Sequence, residues 1–203
     1  AVSKKNNAIR IIDSDKAVVI GNRVSGTYNN TIRVVGSPYS NVKDNMISGV
    51  AKERGIRINK SNFVVVESNT FSGTCKKAIQ LDNCSDSDVI GNTISGNGRV
   101  AIGLDRSPYS NVTDNMISGL GERRGIFVKE SNFVGVEGNT IKNIRTSENW
   151  EAPILDDRSN ECAITRHSLL DLADPDHYAH CTGPLASNLT PAYCTWQFPS
   201  AHN

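Results

Sequence analysis

The chain has no surplus of either charge: 22 lysines and arginines stand against 21 aspartates and glutamates, a formal net charge of +1. That balance removes the general electrostatic case for a nucleic-acid or membrane-surface partner. No apolar run is long enough to cross a bilayer as a helix, so membrane insertion is not expected. The opening AVSKKNN is too polar to read as a secretory leader. Cysteines number five, an odd count that defines neither a disulfide framework nor a redox compartment. Cys75 and Cys84 flank one extended segment and stand about 25 Å apart, too far to bond. Cys162 reads as a core residue, and Cys181 and Cys194 either pair in a disulfide or stay as unpaired thiols.

A long helical periodicity is also missing, and an internal repeat takes its place. SPYSNVKDNMISG from Ser37 returns as SPYSNVTDNMISG from Ser107, and SNFVVVESNT from Ser61 returns as SNFVGVEGNT from Ser131, both at the same offset in sequence number (107 − 37 = 131 − 61 = 70). Inside the duplicated block runs a shorter period. Asn22, Asn45, Asn69, Asn92, Asn115 and Asn139 follow one another at spacings of 23, 24, 23, 23 and 24. Valine stands three positions before every one (Val19, Val42, Val66, Val89, Val112, Val136), and Val24, Ile47, Phe71, Ile94, Ile117 or Ile141 stands two positions after. Further apolar pairs alternate with polar residues: Ile32 and Val34, Ile56 and Ile58, Ile79 and Leu81, Ile102 and Leu104, Ile126 and Val128. These are strand periods. The recurrent leucine framework of a leucine-rich repeat is absent.

Three short apolar stretches in each period, with Asn-Thr-Ile and Ser-Gly punctuation, resemble the right-handed single-stranded parallel β-helix of the pectate-lyase-like superfamily. The resemblance implies an all-β solenoid of about seven coils over residues 1–172. It also implies that the six asparagines stack in the turn between the second and third strands, bonding their equivalents above and below, where Asn tolerates a left-handed backbone. Ala8 to Ile11 reads as a first strand; Ile164, His167 and Leu169 place a seventh coil; Lys142 to Pro153 is an expanded loop containing Trp150. Residues 173–203 lack the period and read as an irregular cap or assembly tail. With coils about 4.8 Å apart the rod is roughly 30 Å long. Seven polar residues cannot cover the open end of the first coil, so preceding polypeptide or another subunit is expected there.

In that superfamily polysaccharides lie along the outer face of the first strands, so the resemblance directs attention to what faces outward here. Between the inward pairs stand Arg33, Arg57, Gln80, Gly103 and Phe127; after them Asn59, Asp82, Asp105 and Lys129; the preceding loops add Lys52, Arg54, Lys76, Lys77, Arg99, Arg123 and Arg124. This stripe is polar with a basic edge, which suits an acidic glycan. Asp82 and Asp105 hold equivalent positions on adjacent coils, which brings their carboxylates to roughly 5 Å, close enough to share a proton and near the spacing of a retaining glycosidase pair. They are the candidate catalytic pair. Arg33, Arg57, Asn59, Lys77, Gln80, Arg99, Arg124, Lys129 and Trp150 are the candidate substrate contacts, Arg57 and Lys77 for a uronate and Trp150 either for stacking on a sugar or, alternatively, for covering the C-terminal coils. The plainer alternative is that both aspartates simply end their strands.

Catalytic signatures of named enzyme families are missing. There is no Asn-Thr-Asp, Asp-Asp and Gly-His-Gly set, and Asp174-Pro175-Asp176-His177 departs from an epimerase Asp-Pro-His-Glu at its third and fourth residues. His177, His180 and Cys181 are metal-ligand types crowded in an aperiodic stretch, and no metal or cofactor is expected. His167 reads as a turn residue. In character the chain is similar to phage tailspikes, which implies a homotrimer that recognises or cleaves a surface polysaccharide, located extracellularly or on a virion surface. The alternatives are a fragment of a polysaccharide lyase or epimerase acting on uronates and a non-catalytic structural or adhesive stalk.

Overall fold

The structure, a computed structural model, describes residues 7–119, 124–142, 154–159, 162–170, 179–182 and 194–196, and among them every regular element is a β-strand. Three parallel sheets wind around one core. The first contains Asn7–Ile12, Thr27–Val35, Val50–Asn59, Thr74–Asp82, Val100–Asp105, Arg124–Lys129, Ile154–Asp157 and Ala179–Thr182, in chain order. The second runs from Val18–Ile20 through Asn41–Lys43, Val65–Glu67, Asp88–Ile90 and Asn111–Thr113 to Gly135–Glu137, and the third from Arg23–Val24 through Met46–Ile47, Thr70–Phe71, Thr93–Ile94 and Met116–Ser118 to Thr140–Lys142. Ala163–Leu170 is long enough to close both, pairing Ile164 with Val136 and Leu169 with Ile141. This coil is longer than those before it, yet its Val and Ile columns stay in register, so the expanded loop is absorbed without shifting a column. Ala179–Thr182 and Cys194–Trp196 extend the first and second ladders, so parallel pairing runs on into the stretch read as an irregular tail.

The apolar columns all face inward. Ile32, Val34, Ile58, Leu81, Ile102 and Leu104 are fully buried, as are Val42, Val66, Val89, Val112 and Val136 from the second sheet and Ile94, Ile117 and Ile141 from the third. Each such side chain contributes about 1.5–3 kcal/mol on burial. The polar interior is satisfied by stacking. Asn45 donates from Nδ2 to Asn69 Oδ1 at 2.9 Å, Asn69 to Asn92 at 3.0 Å, Asn92 to Asn115 at 3.0 Å and Asn115 to Asn139 at 2.9 Å. The expected left-handed asparagine is corrected: positive φ falls one residue earlier, at Gly21, Asp44, Ser68, Gly91, Asp114 and Gly138. That residue turns the chain, and the asparagine behind it is left to bond along the axis.

A serine column escaped the sequence reading. The backbone N–H of Ser14, Ser37, Cys84, Ser107 and Ser131 each donates to the hydroxyl of the next coil, at Ser37, Ser61, Ser107, Ser131 and Ser159, over 2.9–3.1 Å. The Ser-Gly punctuation has a steric cause. A Cβ on Gly73 would stand 2.0 Å from the Gly49 carbonyl oxygen, and one on Gly96 would stand 1.9 Å from that of Gly73, so this corner stacks backbone on backbone.

Candidate functional site

Parallel register converts the outward residues of the first sheet into columns. Arg10, Arg33, Arg57, Gln80, Gly103 and Phe127 form one; Asn59, Asp82, Asp105 and Lys129 form the next; Asn30, Arg54, Lys77, Val100 and Arg124 form a third. Arg54, placed by the sequence reading in a preceding loop, belongs to Val50–Asn59 itself, because a bulge ahead of it restores alternation. Four cations, Arg33, Arg54, Arg57 and Lys77, therefore gather on three adjacent coils.

Asp82 is 8% exposed and engaged at both oxygens, Oδ2 by Arg57 Nε at 3.1 Å and Oδ1 by Gln80 Nε2 at 2.8 Å. Lys77 Nζ donates in turn to Gln80 Oε1, over the space left by Gly103, where a Cβ would meet that oxygen at 2.6 Å. Asp105 sits beside Asp82 in register. Its Oδ1 lies 3.3 Å from Arg106 Nε without hydrogen-bond alignment, which leaves a buried carboxylate oxygen with no hydrogen bond. Nε of Arg33 and Nε of Arg54 are likewise buried without a hydrogen-bond partner. Burial, then the nearby Arg57 guanidinium, pulls the pKa of Arg33 and of Arg54 below the usual arginine value; burial, then Arg54, does the same to Lys77. These are the marks of a cation cluster short of counter-charge.

The remaining candidates are dispersed. Lys129 pairs loosely with Glu130 at 3.7 Å, and Arg124 lies 4.6 Å over the Phe127 ring as a cation–π contact. Asn59 is half-buried beside Asp82, and Arg99 is exposed on the loop before Val100, its N–H bonded to the Lys76 carbonyl. Trp150 lies outside the described residues, as do the side chains of His167, His180, Cys181 and Cys194 and all of His177. A depression of about 190 Å³ lined by Arg23, Met46, Thr70 and Ser72 lies on the third sheet, away from these charges, and is smaller than a usual ligand pocket.

Three parallel sheets coiled about stacked polar turns, with charged residues presented on one outer face, define a parallel β-helix, and a solved structure shares that fold. The periplasmic alginate epimerase AlgG superposes with a TM-score of 0.61 at 18% identity, over 82% of this chain and 47% of that one. The tailspike protein gp49 from Pseudomonas phage LKA1 aligns at a TM-score of 0.46 and 14% identity, over 86% of this chain and 31% of that one. The chain thus spans less than half the length of either. No match was found among curated proteins. Residues 1–150 match the family model described as periplasmic copper-binding protein (NosD), and the chain belongs to that family.

Copper favours thiolate, thioether and imidazole donors. Among the described residues no three His, Cys, Asp or Glu side chains converge on a metal position. Cys75 and Cys84 are separately buried, and burial pushes their thiols up to about 12 and about 11, which disfavours the ligating thiolate. The described residues therefore do not fit a copper site.

Proposed function

We propose that the outer face of the first sheet binds an acidic polysaccharide, with its carboxylates resting on Arg33, Arg54, Arg57 and Lys77. The observation that carries this reading is the cluster of four cations on adjacent coils, two of them with a buried Nε that lacks a hydrogen-bond partner. A polyuronate supplies counter-charge to this cluster at successive sugars. The use of this fold by an alginate epimerase supports the reading, and the same reading places the protein in an extracellular or periplasmic setting. Asp105 is the better candidate for acid or base chemistry, because its Oδ1 makes no hydrogen bond and meets only Arg106, in a loose ion pair, whereas Asp82 orients Arg57 and Gln80. Assembly into a homotrimer belongs to the tailspike form of this proposal, and a stable monomer in solution would remove it.

Calorimetric titration with oligomannuronate at low salt tests the proposal. Binding should weaken steeply with added salt, and Arg33→Gln together with Arg54→Gln should reduce it about tenfold or more. Failure of every polyuronate to bind at low salt would sink it. If oligomannuronate binds but neither unsaturated uronates nor new reducing ends appear, a non-catalytic adhesive stalk is the better description. The full engagement of Asp82 in structural bonds already favours that second reading over cleavage.

A further inference from the structure

The corner between the first and second sheets carries aromatic residues that the charged face does not use. Tyr39 and Phe63 stack with centroids 4.9 Å apart, and Tyr109 and Phe133 repeat the arrangement at 5.0 Å. All four are exposed, by 56%, 45%, 56% and 42%. All four also hold positive φ, at 57° or 58°, a conformation that bulky side chains rarely adopt. Backbone bonds fix their common column: Tyr39 N–H donates to Asn62, Phe63 to Ser85, Asp86 to Pro108 and Tyr109 to Asn132. Between the two pairs, where the copies of the duplicated block meet, the column position holds Asp86 instead of an aromatic residue.

Phe63 and Tyr109 consequently face each other two coils apart, about 10 Å between ring planes on the ladder step. A flat group entering midway would stand about 5 Å from each ring, the spacing that each existing pair adopts. Asp86 is short, exposed and without a side-chain hydrogen bond or ion pair among the described residues, so it forms a floor and leaves the outer half of the slot open. We infer that Phe63 and Tyr109 clamp one neutral pyranose ring, edge inward, with Asp86 accepting hydrogen bonds from its hydroxyls. The two faces of a pyranose present C–H bonds to the negative faces of both rings, and vicinal hydroxyls match the two oxygens of a carboxylate. A uronate or nucleotide would bring negative charge against Asp86. The site is separate from the acidic-glycan face and independent of that proposal.

Saturation-transfer NMR with cellohexaose and with maltohexaose tests the clamp. At least one should bind, with Kd on the order of 1 mM for so shallow a slot. Phe63→Asn and Tyr109→Asn keep a residue that tolerates positive φ, and each should weaken binding about tenfold with the β-sheet circular dichroism retained. Asp86 also holds positive φ, at 52°, so Asp86→Gly is the matching variant and should weaken binding too. Arg33→Gln, on the first sheet, should leave it unchanged. Absence of binding by both hexasaccharides, or binding indifferent to Phe63→Asn and Tyr109→Asn, would overturn the proposal. Binding of tetramethylammonium in place of either sugar would also overturn it, in favour of a cation cage.

Discussion

Arg57 reaches across one coil to place Nε 3.1 Å from Oδ2 of Asp82, and the pair is only 25% and 11% exposed at its side chains. The carboxylate that the stripe of outward residues marks first for catalysis is thus also what holds a guanidinium in place among three other cations. Structure and chemistry overlap at this residue and separate at its neighbour Asp105. This difference makes the two aspartates experimentally distinguishable.

Asp82→Asn removes the charge facing Arg57 while retaining the size of the side chain. The loss should be about 1–3 kcal/mol, the usual cost of leaving a partly buried charged group without its acceptor. Asp105→Asn should change stability by less than about 1 kcal/mol, because it gives up only a loose ion pair with the exposed Arg106 and no hydrogen bond to Oδ1. Urea unfolding of both variants checks the contrast, and activity on a uronate, if present, should fall with Asp105→Asn alone at full stability.

Asn92 lies fully buried in the middle of its stack. Its Nδ2 donates to Val66 and Ile90 carbonyls and to Asn115 Oδ1, while its Oδ1 accepts from Asn69 N and Nδ2. Asn92→Ala strands several of these groups at once and should cost about 2–4 kcal/mol. Asn22 is partly exposed at the first coil and bonds onward only to Asn45 and its own turn. Asn22→Ala should cost about 1 kcal/mol. Thermal melts of the two variants give the comparison.

Lys77 is held below the usual lysine value of 10.5, first by burial and then by Arg54. A cation with a lowered folded-state pKa binds fewer protons folded than unfolded, so its contribution to stability rises with pH between the folded value and 10.5. Lys77→Met should therefore stabilise the protein near neutral pH and flatten that alkaline rise. It should also weaken oligomannuronate binding. Melting temperatures taken across the alkaline range test the first effect, and a steeper rise in the variant would refute the assignment.

Cys84 occupies a serine position: its N–H donates to Ser107 Oγ at 3.1 Å, and its Sγ donates to the Asp82 carbonyl at 3.3 Å. Cys84→Ser restores the stronger hydroxyl donor of that column and should leave stability unchanged or improved by up to about 1 kcal/mol. Cys84→Val removes the donor and should lose about 1–3 kcal/mol. Because burial lifts the Cys75 and Cys84 thiols to about 12 and about 11, neither should react with a thiol reagent before unfolding. Rapid modification in the native state would contradict their burial.

Much of this protein is legible from periodicity. The Val, Asn and Ile columns identify coils because a parallel ladder places equivalent residues one above another, and a repeat in sequence then becomes a contact in space. Ile164 and Leu169 could be assigned correctly across the lengthened coil for the same reason. The stacked aromatic pairs left a signal as well: SPY and SNF recur at the same phase of successive coils, and each pair returns in the second copy of the duplicated block. Arg54 was less visible, because a bulge changes the parity of its strand and parity is what tells outward from inward.

The sequence alone determined the coil length and the inward columns, since each follows from alternation and register. Tertiary structure decided the rest. It showed that Asp82 is spent on Arg57 and Gln80 while Asp105 Oδ1 makes no hydrogen bond, and that the turn residue preceding each asparagine takes the left-handed backbone. It also showed Phe63 and Tyr109 on one column with Asp86 between them. Periodicity fixes which residues share a column, whereas rotamers, burial and local charge fix which of them are already partnered. Only the latter separates scaffold from a surface ready to bind.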